Sequence, residues 1–227
     1  MNGAILTQLN VLLQLICVII VAAYLLTRSR IFPEILDGNP TIKTRIILIL
    51  LFGGLSIYGS VSGIEFLGSV VNVRDLGPMV AGLLAGPWVG MGAGLIGAAY
   101  RLSMGGITIY ACSISAVFAG LFGGLIWIYY KRKFAGTTIA VAFAILMEVF
   151  HMALTLLMVR PFDMALEIVS RVSIPMILAN AAGMFVFAVM VKNIQNERKI
   201  QAERDELMLE MEQKVAEHSC ADTLVQK

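Results

Sequence analysis

Residues 72–106 read NVRDLGPMVAGLLAGPWVGMGAGLIGAAYRLSMGG, and the way this stretch enters a membrane decides the fold. Its apolar centre is bounded by Asn72, Arg74 and Asp75 at one end and by Arg101, Gly105 and Gly106 at the other. Charge is costly beside hydrocarbon, so charged residues at the ends of an apolar run are binding candidates by default. The run is interrupted at Gly86–Pro87, where proline removes an internal helix hydrogen bond. Residues 76–101 therefore read either as one kinked span or as two shorter helices, about 76–85 and 87–101. The second arrangement is a re-entrant hairpin, which neighbouring helices must bury.

Outside this stretch the class is set by composition. The 227 residues are 59% hydrophobic and 14% charged, with a mean hydropathy of +0.85, so most of the chain belongs in lipid. Apolar runs near the twenty residues needed to span a bilayer as helix occupy 5–26, 46–62, 108–130, 138–159 and 172–191. No Lys or Arg precedes Arg28, so the first run lacks the charged start of a cleaved signal and reads as an anchor helix. A net charge of +2 is too small to point to nucleic acid. Cys17, Cys112 and Cys220 form neither an even framework nor a paired metal spacing, so no role is assigned to them.

The positive-inside rule separates the two readings of 76–101. As one span, Arg28, Arg30, Lys43, Arg45, Arg101, Arg160 and Arg171 lie outside. Arg74, Lys131, Arg132, Lys133, Lys192, Arg198, Lys199 and Arg204 then lie inside, which is seven against eight. As a hairpin, eleven fall inside and only Arg74, Arg101, Arg160 and Arg171, four in all, fall outside. The hairpin is expected, with the N-terminus outside and the C-terminus in the cytoplasm. Asn72, Arg74 and Asp75 then share the outer side with Arg101, Gly105 and Gly106. The glycines between them, Gly82, Gly86, Gly90, Gly92, Gly94 and Gly97, read chiefly as packing residues that let helix backbones approach.

From residue 192 the chain turns polar, charged and rich in helix formers. Ile194, Gln201, Met208 and Val215 recur every seventh residue, but the second seam holds Glu197, Arg204 and Met211, a weak coiled-coil signal. A cytoplasmic signalling helix over 192–218 that continues the last span, paired in a parallel homodimer, is expected over a merely solvated helix. The chain stops before a globular cytoplasmic domain, so an output domain or kinase is expected from elsewhere.

No catalytic constellation is present. P-loop, HExxH, GxSxG and CxxC motifs are missing. Residues 92–97, GAGLIG, match a dinucleotide fingerprint only formally, because no strand precedes them. His151 lies in a span and His218 in the tail, neither with a metal partner at convincing spacing, so no metal or cofactor is expected. Glu148 and His151 share one helical face and read either as a satisfied pair or as part of a ligand cavity. Asn180 either bonds across helices or lines that cavity, Pro175 kinks the last span, and Arg160 reads as a snorkelling residue. Arg74 and Arg101 are the strongest binding candidates, since guanidinium forks match carboxylate or phosphate groups. Asn72 would add a neutral hydrogen bond, and Gly105–Gly106 backbone N–H groups close to the ligand. The competing reading is that each arginine marks a span boundary or pairs with Asp75 or Glu65.

The strings NVRDLGPMVAGLLAGPWVG, RLSMGG, EVFHMALTLLMVRPFDMALEIV and IPMILANAAGMFVF resemble the five-transmembrane LYT-type sensor domain, the membrane input module of LytS- and YhcK-like receptors. The resemblance covers about residues 30–191. It implies that the domain senses an extracellular or membrane-derived signal and passes it to a histidine kinase, diguanylate cyclase or other cytoplasmic output. By resemblance the functional positions are Asn72, Arg74, Arg101, Gly105, Gly106, Glu148, His151, Arg160, Pro161, Phe162, Pro175 and Asn180.

The expectation is an all-α polytopic protein of the cell membrane: an anchor helix over 1–30, a sensor domain over 31–191 and a linker helix with tail over 192–227. Its ligand is a small molecule, read as a small anion held by Asn72, Arg74, Arg101, Gly105, Gly106, Glu148, His151 and Asn180. Replacing Arg74 or Arg101 with alanine is expected to remove the response and leave the fold intact. The alternative is a small-solute transporter, whose broken helices also build substrate sites.

Overall fold

The computed structural model describes residues 17–18, 20–22, 24–66 and 69–225. Most of the anchor expected over 5–26 lies outside those residues; the described part of 17–28 is helical. A short helix α1, Phe32–Leu36, starts with Pro33 in its first turn, where the missing N–H costs nothing. Helix α2, Ile42–Val61, is capped by Thr41, whose side chain accepts from the Thr44 N–H. The Glu34 carboxylate ties the two together, accepting from Thr44 Oγ1 at 2.7 Å and Thr41 Oγ1 at 3.0 Å. The Thr44 bond, then those of Thr41, hold Glu34 below the usual carboxylate pKa. Its contribution to stability is therefore present above the ordinary value and is lost as pH falls through the lowered one. Melting curves of Glu34→Gln are expected to lose that acid-side dependence.

Two three-residue strands, β1 (Ile64–Phe66) and β2 (Ser69–Val71), follow as an antiparallel pair with Glu65 opposite Val70. They add a small hairpin to an otherwise all-α architecture. Strands this short carry too little alternation to be read from sequence.

Gly86–Pro87 divides helix α3, Leu76–Ala85, from helix α4, Pro87–Met104. Gly86 sits at φ +93°, a region L-residues avoid, and Pro87 begins the next helix. The two arms fold back on each other. Gly82 on α3 and Gly90 on α4 both abut Gly120 of helix α5, Ile109–Tyr129. Asp75 meets Ser115, while Gly94 meets Ala116 and Pro87 meets Gly124. Thus α3 runs with α5 and α4 runs against it, which is the hairpin geometry. Every residue of α3 is buried, as a helix too short to span must be.

Helices α6, Thr137–Met158, and α7, Phe162–Val225, complete the chain. With α2 and α5, both are long and apolar enough to cross a membrane. Helix α7 starts well before residue 172, the expected boundary, and runs through Pro175. Asp163 favours its first turn, and Glu167 pairs with Arg171 one turn on at 3.3 Å. The chain forms two compact units, Met1–Met190 and Val191–Lys227. In the second, the described side chains from 196 to 214 are exposed, with Ile200, Leu207, Met208 and Met211 among them.

Candidate functional site

Asn72, Arg74, Asp75, Arg101, Glu148, His151 and Asn180, all buried, gather near one end of the bundle. Asn72–Asp75 form the turn between β2 and α3. Gly59 of α2 lets the Arg74 backbone pack against it, with a Cβ there only 3.0 Å from Arg74 Cα. The Asn72 side chain accepts from the Arg74 N–H at 3.0 Å, fixing the turn.

Arg74 is fully buried. Its Nε donates to Asp75 Oδ1 at 3.3 Å and its Nη2 to the Cys112 carbonyl at 3.3 Å, while Nη1 has no partner. The other Asp75 oxygen accepts from Ser115 Oγ at 2.8 Å and lies 3.3 Å from His151 Nδ1. Glu148 Oε2 is 3.6 Å from the same nitrogen, and Cys112 Sγ is 3.4 Å from His151 Nε2. Both contacts of Nδ1 are ion-pair distances without hydrogen-bond geometry, and neither Glu148 oxygen has a hydrogen-bond partner.

Arg101 sits one turn beyond Gly97, past which the Arg74 side chain runs at 3.9 Å from a Gly97 Cβ position. It too is buried, donating to the Gly105 carbonyl and to Thr108 Oγ1 at 3.2 Å, with Nε unpartnered. Among the described residues no carboxylate lies within ion-pair distance of it. A buried guanidinium balanced only by neutral acceptors is costly, and an anion would relieve that cost. Asn180, on α7, donates to the Asn72 carbonyl at 3.4 Å and to the Met176 carbonyl at 3.1 Å, leaving its own oxygen unpaired. A small cavity lined by Cys112, His151, Thr155, Ile168, Val172 and Met176 opens beside the cluster.

Of the eight residues read as binding, Asn72, Arg74, Glu148, His151 and Asn180 come together. Arg101 lies next to them through Thr108, whose carbonyl accepts from the Cys112 N–H at 2.9 Å. Gly105 and Gly106 are exposed with φ of +77° and +96°; Gly105 meets Arg101 through its carbonyl. Arg160, Pro161, Phe162 and Pro175 are exposed and stand apart, with Arg160 donating to the Val159 carbonyl at 2.9 Å. Sequence reasoning missed Cys112, Ser115 and Thr108, which look like ordinary small residues of an apolar helix. It also missed that Asp75, Glu148 and His151 bring three metal-ligating atoms within 4.8 Å of one another, because Asp75 is far away in the chain.

Comparison with known proteins agrees with this architecture. A family model described as 5TMR of 5TMR-LYT matches residues 29–194. The chain is 33% identical over 201 residues to the sensor protein LytS of Bacillus subtilis (strain 168), covering 81% of this chain and 34% of that protein. It is 33% identical over 181 residues to the sensor histidine kinase BtsS of Escherichia coli (strain K12), covering 78% and 32%. A third relative, the sensor histidine kinase YpdA of the same strain, is 31% identical over 196 residues, covering 85% and 33%. The chain thus spans about a third of the length of these relatives. No solved structure matches. A re-entrant glycine hairpin, a buried arginine cluster and a family match across most of the membrane unit lead to one assignment: this chain belongs to the five-transmembrane receptor family 5TMR-LYT.

Proposed function

We propose that the chain is the signal-receiving membrane module of a sensor kinase, and that its ligand is a small carboxylate- or phosphate-bearing anion bound by Arg101 and Arg74. The observation that carries the ligand class is Arg101, a buried cation with unused donor capacity and, among the described residues, no carboxylate partner. Arg74 Nη1 offers a second free donor. The anchor over 1–30, the sensor over 31–191 and the linker over 192–227 are the parts of this reading. The site faces the outer side, because Arg132 and the Lys131–Lys133 turn lie at the other end of the bundle, beyond Trp127 and the hairpin tip at Gly86.

Transmission runs through Asn180, which joins α7 to the Arg74 turn. Residues from Val191 onward belong to the same helix and would deliver the change to a kinase in a parallel homodimer. A ligand biases such a switch only through its differential affinity for the two packings. Asn180→Leu is expected to cost about 0.6 kcal/mol, as for an average interhelical hydrogen bond in a membrane. Anion affinity should be retained, while the ligand-dependent change between spin labels on the second unit is lost. An unaltered spin-label response in that variant would remove Asn180 from the route.

Melting of the detergent-purified chain across a panel of small carboxylates and phosphates tests the ligand class. A binder at a hundred times its Kd stabilises the fold by about 2.7 kcal/mol. A panel without a single concentration-dependent rise would contradict an anionic ligand.

A further inference from the structure

We propose a second occupant of this cluster: a divalent transition-metal ion of the zinc class, held by Asp75, Glu148 and His151. The donors come from two elements. Glu148 and His151 stand three apart on one face of α6, and Asp75 enters from the turn before α3. All three are buried, Glu148 completely.

Both oxygens of Glu148 and the Nδ1 of His151 lack a hydrogen-bond partner, although Oε2 and Nδ1 are only 3.6 Å apart. A buried carboxylate left without hydrogen bonds is the costly case, and a bound cation is one of the few ways to compensate it. Two of the three donor separations match a metal site, and all three donor atoms lie within 4.8 Å of one another. Zinc–nitrogen and zinc–oxygen bonds of about 2.1 Å place neighbouring donors of a tetrahedron about 3.4 Å apart. His151 Nδ1 lies 3.3 Å from Asp75 Oδ2 and 3.6 Å from Glu148 Oε2.

The surroundings orient these donors as outer groups orient metal ligands. Cys112 Sγ sits 3.4 Å from His151 Nε2. With the ring proton on Nε2 directed at that sulfur, the Nδ1 lone pair faces the two carboxylates. Ser115 and Arg74 hold Asp75 by its two oxygens. Imidazole with two carboxylates suits zinc-like ions over calcium or magnesium, which prefer all-oxygen sites. Three protein donors leave a fourth position for water or a small ligand atom, as in open zinc sites.

The proposal goes beyond the anion reading and is tested without any carboxylate or phosphate present. The full chain, stripped with a chelator in detergent, is titrated with Co²⁺ as a coloured stand-in for Zn²⁺. The expected result is one Co²⁺ per chain with the intense visible absorption of a low-coordinate site, displaced by Zn²⁺. Glu148→Gln should lose this binding and keep its metal-free melting temperature, because a neutral amide replaces a buried carboxylate that makes no hydrogen bond. Cys112→Ala, which removes only an orienting contact, should weaken binding about 10–100-fold. His218→Gln should leave it unchanged. No stoichiometric Co²⁺ binding, or equal binding by wild type and both Glu148→Gln and Cys112→Ala, would overturn the proposal.

Discussion

Gly120→Leu is expected to yield no folded protein. Gly120 and Gly90 press backbone against backbone, so a Cβ at either overlaps the other's carbonyl group. Gly82 meets Gly120 and Gly124 with the same closeness on the other arm. Overpacking by a methylene or two usually costs about 1–3 kcal/mol, when side chains can shift. Here the obstacle is backbone on both sides, and relief means separating α5 from the whole hairpin. Gly54→Leu is the control: it lies exposed on α2 with nothing within 4 Å of a Cβ. Size-exclusion profiles and thermal melts in one detergent should show loss of the folded species for Gly120→Leu and wild-type behaviour for Gly54→Leu. Equal profiles for the two variants would mean that the hairpin does not pack on α5 as described.

Arg74→Ala should be the second severe lesion, because the structure pairs Arg74 with a buried carboxylate. Arg74 and Asp75 are both buried and paired at 3.3 Å. Truncating Arg74 leaves the buried Asp75 with Ser115 and His151 but no guanidinium, a loss toward the lower end of the roughly 3–5 kcal/mol of broken buried pairs. Replacing the pair together, Arg74→Met with Asp75→Leu, removes both charges and should recover most of that stability. The double variant should still fail to bind anion, since the guanidinium is gone. A melting temperature for Arg74→Ala within error of wild type would show that the pair contributes little. Arg101 differs: with no carboxylate partner among the described residues, Arg101→Leu strands no opposite charge and should fold at least as well as wild type.

The hairpin was legible in sequence because two independent signals agreed. Gly86–Pro87 is a chemical break, and the Lys and Arg distribution is a topological one. Helix α7 was read less well. Pro175 and the charges Asp163, Glu167 and Arg171 look like the approach to a span, yet Glu167–Arg171 is an i,i+4 pair that suits a helix already under way. Arg74 and Arg101 stood out because guanidinium is costly in lipid. Asp75 was read as a charged end of the run or a mate for an arginine, and Glu148–His151 as a satisfied pair or part of a ligand cavity, with nothing to join the two. That the three meet depends on α6 packing beside the turn before α3. Cys112 and Ser115 carry no sequence signal, since small residues in an apolar helix are routinely packing groups.

Both arginines serving one small anion is the claim on which the functional reading stands. Isothermal titration of the strongest stabilising anion from the melting panel into wild type, Arg101→Lys and Arg101→Leu tests it most directly. The account predicts saturable binding with one anion per chain in wild type. Arg101→Lys, which keeps the charge but loses the fork, should bind more weakly. Arg101→Leu should show no binding with an undiminished melting temperature. Wild-type affinity in a folded Arg101→Leu protein would contradict it.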